Sequence, residues 1–406
     1  MNKIYMKAVF LWGWLTLCGF LSLGVSAGEP IIFGHSEKLF SKVLNEERTL
    51  LVKLPEGYQQ EKNKTYPVFY TLDGHTHYRR VAGTLEWLSD TAEVIPQHIV
   101  VALVSDNGRQ RLRDASPFKR ASYKNGAEAS GDTFIRFLSS ELVPYIDKKY
   151  RTRPFRTLAG HSAMARGVLH IMSSTDDLFQ AYIAMSPALS EREHNRRFVE
   201  SIGSKISASG RSAGFYYQTL GNEAANRANF NRLSDIFEQQ APENLSWHSE
   251  VYLLETHMSV PSKTLHNAML ALATYRGWTV PPAVVNRGLA AVKQHYRVLS
   301  GKQKRMISPP QALLLNMSYD AYFVKNYAQA IAGFELAVKL YPESADARDS
   351  LADGYEAAGL FAQALTQQTQ AVKLARQQKS IYLQQYRERL KKLEEKIKEK
   401  GLLKQG

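Results

Sequence analysis

Apolar positions in this chain fall into two kinds of run. Between Ile31 and about Arg276, short stretches that are apolar almost throughout alternate with stretches where apolar residues recur every three or four positions. The first kind predicts strands buried on both faces of a sheet, as parallel strands are; the second predicts amphipathic helices. The predicted strands are Leu50–Leu54, Pro67–Leu72, His98–Val104, Thr157–Gly160, Tyr182–Met185, Phe215–Leu220 and Val251–Leu254. Phe134, Phe137, Leu138, Leu142 and Tyr145 mark one of the helices between them. Strands interleaved with helices specify an α/β fold, a mostly parallel sheet covered on both faces.

Beyond Gln311 the strands stop and the pattern is helical. Pro281-Pro282 and Ser308-Pro309-Pro310 bracket one predicted bridging helix, Ala283–Leu299. The helical part repeats itself: Tyr327-Ala328-Gln329-Ala330-Ile331 returns 34 residues later as Phe361-Ala362-Gln363-Ala364-Leu365. Ala337-Val338-Lys339-Leu340 returns in the same register as Ala371-Val372-Lys373-Leu374. A 34-residue helix–turn–helix period with small residues where helices cross resembles the tetratricopeptide repeat, and Phe334, Pro342, Leu351 and Tyr355 fit its pattern. Only about two units are visible, so they are expected to pack on the preceding domain or on the last helix. That helix, from about Lys379, carries Leu383, Tyr386, Leu390, Leu393 and Ile397 in one stripe.

At the other end, Lys3 and Lys7 precede an apolar run from Ala8 to Val25 and the small-residue site Val25-Ser26-Ala27. This order describes a secretory signal peptide cut after Ala27, and predicts a periplasmic or secreted protein with no later membrane span. The expected division of the 406 residues is therefore 1–27 signal, 28–280 the α/β domain, 281–310 bridging helix and linker, and 311–406 helical repeats with a basic final helix.

Composition sharpens this in two respects. The single cysteine, Cys18, lies inside the signal, which excludes disulfide frameworks, cysteine-ligated zinc and iron–sulfur clusters. The formal net charge of +14 invites nucleic acid as a partner. No helix-turn-helix, zinc or RNA-recognition signature accompanies it, and an exported chain seldom meets nucleic acid. Residues 376–406 hold ten basic and four acidic side chains, so much of the surplus sits on the last helix. The partners this predicts are another protein or an anionic surface.

The chemistry centres on Thr157-Leu158-Ala159-Gly160-His161-Ser162-Ala163-Met164. A short strand running into Gly-x-Ser and then a helix is the setting of a nucleophile elbow, with Ser162 as nucleophile and the Ala163 N–H as an oxyanion donor. Met164 stands where glycine is usual, which predicts a looser or shifted elbow, or a lost one. A serine nucleophile on this fold needs an acid and then a histidine, in that order. His257 follows the strand Val251–Leu254, and Glu223 follows Phe215–Leu220, so both fall at carboxyl ends of strands, where open α/β sheets build their sites. Glu255 and Asp235 are rival acids; the first is very close in sequence to His257, the second lies in a helical pattern. His161 is expected to wedge beneath the elbow. His75 and His77 flank a turn without the carboxylates a metal site would need, so neither metal nor cofactor is expected.

Together with Tyr66–Gly74, Arg111-Leu112-Arg113-Asp114, Pro117, Glu141–Ile146, Leu178–Pro187 and Thr256-His257-Met258-Ser259, these residues resemble the enterochelin esterase and esterase D-like family of α/β-hydrolases. The resemblance implies a small-molecule ester substrate, Ser162 as nucleophile and His257 as base. It also implies a second oxyanion donor just after Asp73-Gly74, at the His75 N–H; Glu223 fits the acid position less securely. The reading is an exported serine hydrolase of carboxylic esters, a siderophore ester among the candidates. Two alternatives stand beside it: a degenerate hydrolase fold binding a partner through its repeats, and an acyltransferase.

Overall fold

The computed structural model describes residues 32–118, 131–175, 177–207, 214–302 and 306–400. The predicted signal, with Cys18 and its cleavage site, lies outside them. The described residues from Gly34 onward cluster as one compact unit.

The sheet has eight strands among the described residues: β1 (His35–Ser41), β2 (Glu46–Lys53), β3 (Tyr66–Thr71), β4 (Ile99–Leu103), β5 (Thr152–His161), β6 (Ala181–Met185), β7 (Gly214–Leu220) and β8 (Leu245–Val251). Their order is β1-β2-β4-β3-β5-β6-β7-β8. β1 pairs with β2, and β2 with β4, antiparallel; every later pairing is parallel. This is the α/β-hydrolase architecture. Helices α1 (Gly74–Glu86), α2 (Gly108–Asp114), α3 (Gly131–Phe137), α4 (Val143–Lys149), α5 (Ala163–Ser174), α6 (Glu193–Ser207), α7 (Ala224–Gln240) and α8 (Val260–Arg276) connect the strands and follow the last one.

The central strands are buried at every position, β3, β4, β6 and β7 throughout, which is why they read as unbroken apolar runs. Two strand predictions need correction, both at sheet edges. β1, with the sequence His-Ser-Glu-Lys-Leu-Phe-Ser, was absent from the expected set because its edge position leaves it largely exposed and polar. The last strand is Leu245–Val251 rather than Val251–Leu254. It too is an edge strand, half-buried and rich in polar residues, whereas the apolar Leu253 and Leu254 lie in the exposed turn beyond it.

Between the two parts, the single bridging helix is in fact two, α9 (Pro282–Val285) and α10 (Leu289–Lys302). Gly288 separates them at φ +85°, a conformation that ends a helix and that side chains other than glycine rarely adopt. The region from Gln311 is all-helical: α11 (Gln311–Phe323), α12 (Tyr327–Leu340), α13 (Ala345–Ala357), α14 (Phe361–Gln377) and α15 (Leu383–Glu399). Ala330 and Ala364, one period apart, are both fully buried, as are Ala337 and Ala371. α15 buries Tyr386, Leu393 and Ile397, and several of its cations are already paired within the array: Arg389 with Asp349 and Asp353, Lys396 with Glu356. Among the described residues no helix is long and apolar enough to cross a membrane.

Candidate active site

Chain direction places the site. From β3 the chain crosses to β4 on one side, then to β5 on the other, so the carboxyl ends of β3 and β5 flank a point where the winding reverses. Open α/β sheets leave a crevice there. A cleft of about 440 Å³ occupies it, lined by residues that end or follow β3 (Asp73, His75, Thr76, His77), β4 (Ser105, Asn107), β5 (His161, Ser162) and β8 (His257, Met258), with Gly108 and Arg111 of α2.

Ser162 stands alone between the end of β5 and the start of α5, at φ 61° and ψ −121°. A positive φ at serine is strained and needs support from its surroundings. Its N–H donates to the Met185 carbonyl, and its own carbonyl accepts from the N–H groups of Arg166 and Ala188. The close packing beneath this turn falls at Gly160, where a Cβ would lie 2.6 Å from the Met164 carbonyl oxygen. Met164 itself is buried in the main core. The looser elbow expected from Met164 is therefore not what forms, because the tight approach is made at 160 and the residue at 164 turns inward.

Glu223 and His257 meet. The last residues of β7 and β8, Leu220 and Val251, are paired in register, so the loops that follow lie side by side. The Asn222 N–H donates to the Glu255 carbonyl at 2.7 Å, and His257 Nδ1 lies 2.8 Å from Glu223 Oε2. Ser186 Oγ donates to Glu223 Oε1 at 2.6 Å and Asn226 Nδ2 to Oε2 at 2.8 Å. Burial alone would raise the Glu223 carboxyl, but the hydrogen bonds from His257, Ser186 and Asn226 outweigh it and hold the group at about 2. Of the rival acids, Glu255 accepts from Ser259 Oγ within its own loop, and Asp235 lies on the exposed face of α7. Ser162 and His257 share the cleft; no hydrogen bond joins them among the described residues, a gap that substrate binding commonly closes.

Two helix N-termini reach the same cleft. Ala163 opens α5, and Gly74 and His75 open α1, so their N–H groups belong to first turns that have no intrahelical acceptors. Asp73, just before, takes φ 57° and ψ 53°. Gly74 sits close to its neighbours: a Cβ there would lie 3.0 Å from the Leu103 backbone, a tight contact. Arg111 fixes this turn: its Nε lies 2.8 Å from each Asp73 carboxylate oxygen, and its Nη2 3.3 Å from the His161 carbonyl.

His77 accepts from Arg80 at Nδ1, 2.8 Å away, and packs edge-on to His161. Burial, then Arg80 and Arg111, lowers it to about 4. His75 is exposed on the cleft rim, and no group of three or more metal-ligand side chains gathers among the described residues. The sequence reading did not single out Ser186 and Asn226 as supports of the acid. Ser186-Pro187 at the end of a strand was a usable signal; nothing local marks Asn226.

A family model described as "Putative esterase" matches residues 41–298, more than half of the chain and all of the elements that build the cleft. The chain belongs to this esterase family. Among curated proteins, this chain is 33% identical over 158 residues to the uncharacterized protein YjcH of Bacillus subtilis, a match covering 38% of this chain and 61% of YjcH. It is 28% identical over 160 residues to the ferri-bacillibactin esterase BesA of the same organism, covering 36% and 55% respectively. The chain thus spans less than two thirds of either relative's length. Among solved structures, an IroE-like serine hydrolase from Shewanella oneidensis superposes with a TM-score of 0.60 at 22% identity, over 76% of this chain and 99% of that one. At that identity the likeness is one of fold.

Proposed function

We propose that this protein is an exported serine hydrolase that cleaves a carboxylic ester through an acyl-enzyme. The observation that carries the proposal is the 2.8 Å contact between His257 Nδ1 and Glu223, opening on the same cleft as the strained Ser162. With Nδ1–H held by the carboxylate, Nε2 keeps its lone pair and is the nitrogen free to take a proton. In the proposed reaction the Ser162 Oγ–H proton passes to His257 Nε2 as Oγ bonds to the ester carbonyl carbon. The N–H groups of Ala163 and His75 stabilise the oxyanion. Collapse breaks the bond to the alkoxy oxygen, which leaves as the alcohol carrying the proton from Nε2. Water, deprotonated by the same nitrogen, then attacks the acyl group, and the acid departs as Ser162 regains its proton.

Side chains able to hydrogen-bond a polar ester line the cleft. Its side chains are mainly imidazoles, amide, hydroxyls and a guanidinium, and its one carboxylate, Asp73, is neutralised by Arg111. A siderophore-type ester fits this lining and agrees with the name of the relative BesA. Export rests on the signal pattern of residues 1–27, and the helical array beyond Gln311, tetratricopeptide-like in period, is the proposed contact surface for a protein partner.

The test is labelling with a fluorophosphonate alongside turnover of short p-nitrophenyl esters. Ser162→Ala should take no label and lose at least about 10³-fold in kcat, the loss expected when a nucleophile is removed. Wild-type turnover in Ser162→Ala ends the assignment. Fractionation of the producing cell checks export, which predicts the chain outside the cytoplasm and shortened at Ala27.

A further inference from the structure

His161 is buried beside the nucleophile, and the reaction above makes no use of its ring. The explanation begins with a proline. Leaving the His257 turn, the chain enters α8, where the Val260 N–H reaches back four residues to the Thr256 carbonyl. The next such bond would run from residue 261 to the His257 carbonyl, but residue 261 is proline and has no N–H. The His257 carbonyl, in the turn just before α8, therefore receives no donor from residue 261. His161 Nε2 fills that place, 2.8 Å from the oxygen. A carbonyl only accepts, so Nε2 must carry the hydrogen and the ring is fixed in that tautomer.

This bond matters because the neighbours Glu255, Thr256 and Ser259 are tied into the turn by their own hydrogen bonds, whereas the main chain of the base itself is held here. The turn around His257 is open to solvent: Leu253, Leu254 and Met258 are all exposed, Leu254 to 96%. Among the described residues no other hydrogen bond reaches the His257 main chain. Its side chain bonds Glu223 at one end, and that contact leaves the ring free to pivot unless the backbone is fixed. The His161 and His257 rings also lie against each other, centroids 4.5 Å apart and planes tilted by 37°. His161 belongs to the strand that ends in the elbow, so anything tied to it is tied to Ser162 as well.

We propose that His161 is a positioning residue, whose Nε2–H clamps the His257 carbonyl and so sets the imidazole of the base relative to Ser162. The clamp suits the reaction because it carries no charge. Burial first, then His257 and His77, with Arg111 adding to them, lowers His161 to about 4. A neutral ring does not repel the imidazolium that forms on His257 during proton transfer, as a lysine or arginine donor in its place would. The inference rests on the reading of Ser162 and His257 as nucleophile and base.

The test uses the full chain and p-nitrophenyl acetate, with His161→Gln and His161→Met compared. The two replacements have similar length, and only glutamine carries an N–H near the position of Nε2. His161→Met should lose roughly 10–100-fold in kcat with KM within about twofold, the scale of a misplaced catalytic group. His161→Gln should stay within about threefold of wild type. Should His161→Met lose its cooperative thermal transition, His161→Phe, which keeps a ring without a donor, takes its place under the same limits. The clamp is overturned if the donor-free variant keeps its kcat within twofold, or if His161→Gln falls as far as it does. Ser162→Ala run in parallel separates the two levels. A dead Ser162→Ala beside an unaffected His161→Met sinks the clamp alone, whereas an active Ser162→Ala sinks the esterase reading beneath it.

Discussion

At the scale of single residues, the backbone decides more than the side-chain motif does. Gly-His-Ser was legible in the sequence, but what the turn tolerates was not. Met164 drew attention as a departure, while the intolerant position is Gly160, where a Cβ would stand 2.6 Å from the Met164 carbonyl oxygen and 2.7 Å from its carbon. Both atoms are backbone in the first turn of α5, so neither can rotate away. Gly160→Ala is therefore expected to shift the elbow and destabilise the fold by about 1–3 kcal/mol, the usual cost of overpacking. A urea titration reads this as a lower midpoint at unchanged slope, and a midpoint equal to wild type rejects it. Glu223 shows the reverse case. Its place after a strand set it apart from Asp235, which lies in a helical pattern, and its distance in sequence from His257 set it apart from Glu255.

At the scale of elements, legibility followed burial. Strands buried on both faces announce themselves as apolar runs, and β3, β4, β6 and β7 were placed to within a residue or two. Edge strands lack that signature. β1 went unseen, and the apolar Leu253-Leu254 drew the last strand six residues too late. The bridging helix failed for a different reason, since Gly288 inside an apolar pattern reads as tolerated until its φ of +85° is known. In the helical array the 34-residue period was legible, whereas the side-chain caps that start α12 and α13 were not read from the sequence. Ser344 is one: its Oγ accepts from the Ala347 N–H at 3.0 Å and caps α13. Ser344→Ala removes that acceptor and should cost about 1 kcal/mol. Because α13 packs between α12 and α14, the loss should appear in the melting of the array while any turnover of p-nitrophenyl esters by the wild type is kept. A drop in turnover instead would mean that the helical region supports the cleft.

At the scale of the whole molecule, buried histidines and tethered carboxylates make stability fall in acid in two stages. His98, His77 and His161 are all buried, and burial is the main reason each is lowered, His98 to about 3 and the other two to about 4. In the unfolded chain histidine titrates near 6.5. Between 6.5 and about 4 the unfolded state therefore binds protons that the native state does not, and stability is lost as pH falls through that window. The carboxylates act lower down. Glu37, which burial would raise, is held at about 2 by Tyr150, Lys149, Tyr145 and His35, and Glu223 by the donors described above. Their stabilisation is complete above about 4.5 and disappears as pH falls towards 2. Urea midpoints measured from pH 7 to pH 3 should thus begin to drop near 6.5, well before any carboxylate titrates. His98 isolates the first stage, since it stands apart from the cleft and donates from Nδ1 to the Pro96 carbonyl at 2.6 Å. His98→Asn keeps a donor near that atom and removes the titration. The variant should be less stable than wild type at pH 7, and the gap should narrow towards pH 4, because only the wild-type unfolded state gains the extra proton. A gap that holds constant across that range would place the early acid loss elsewhere in the molecule.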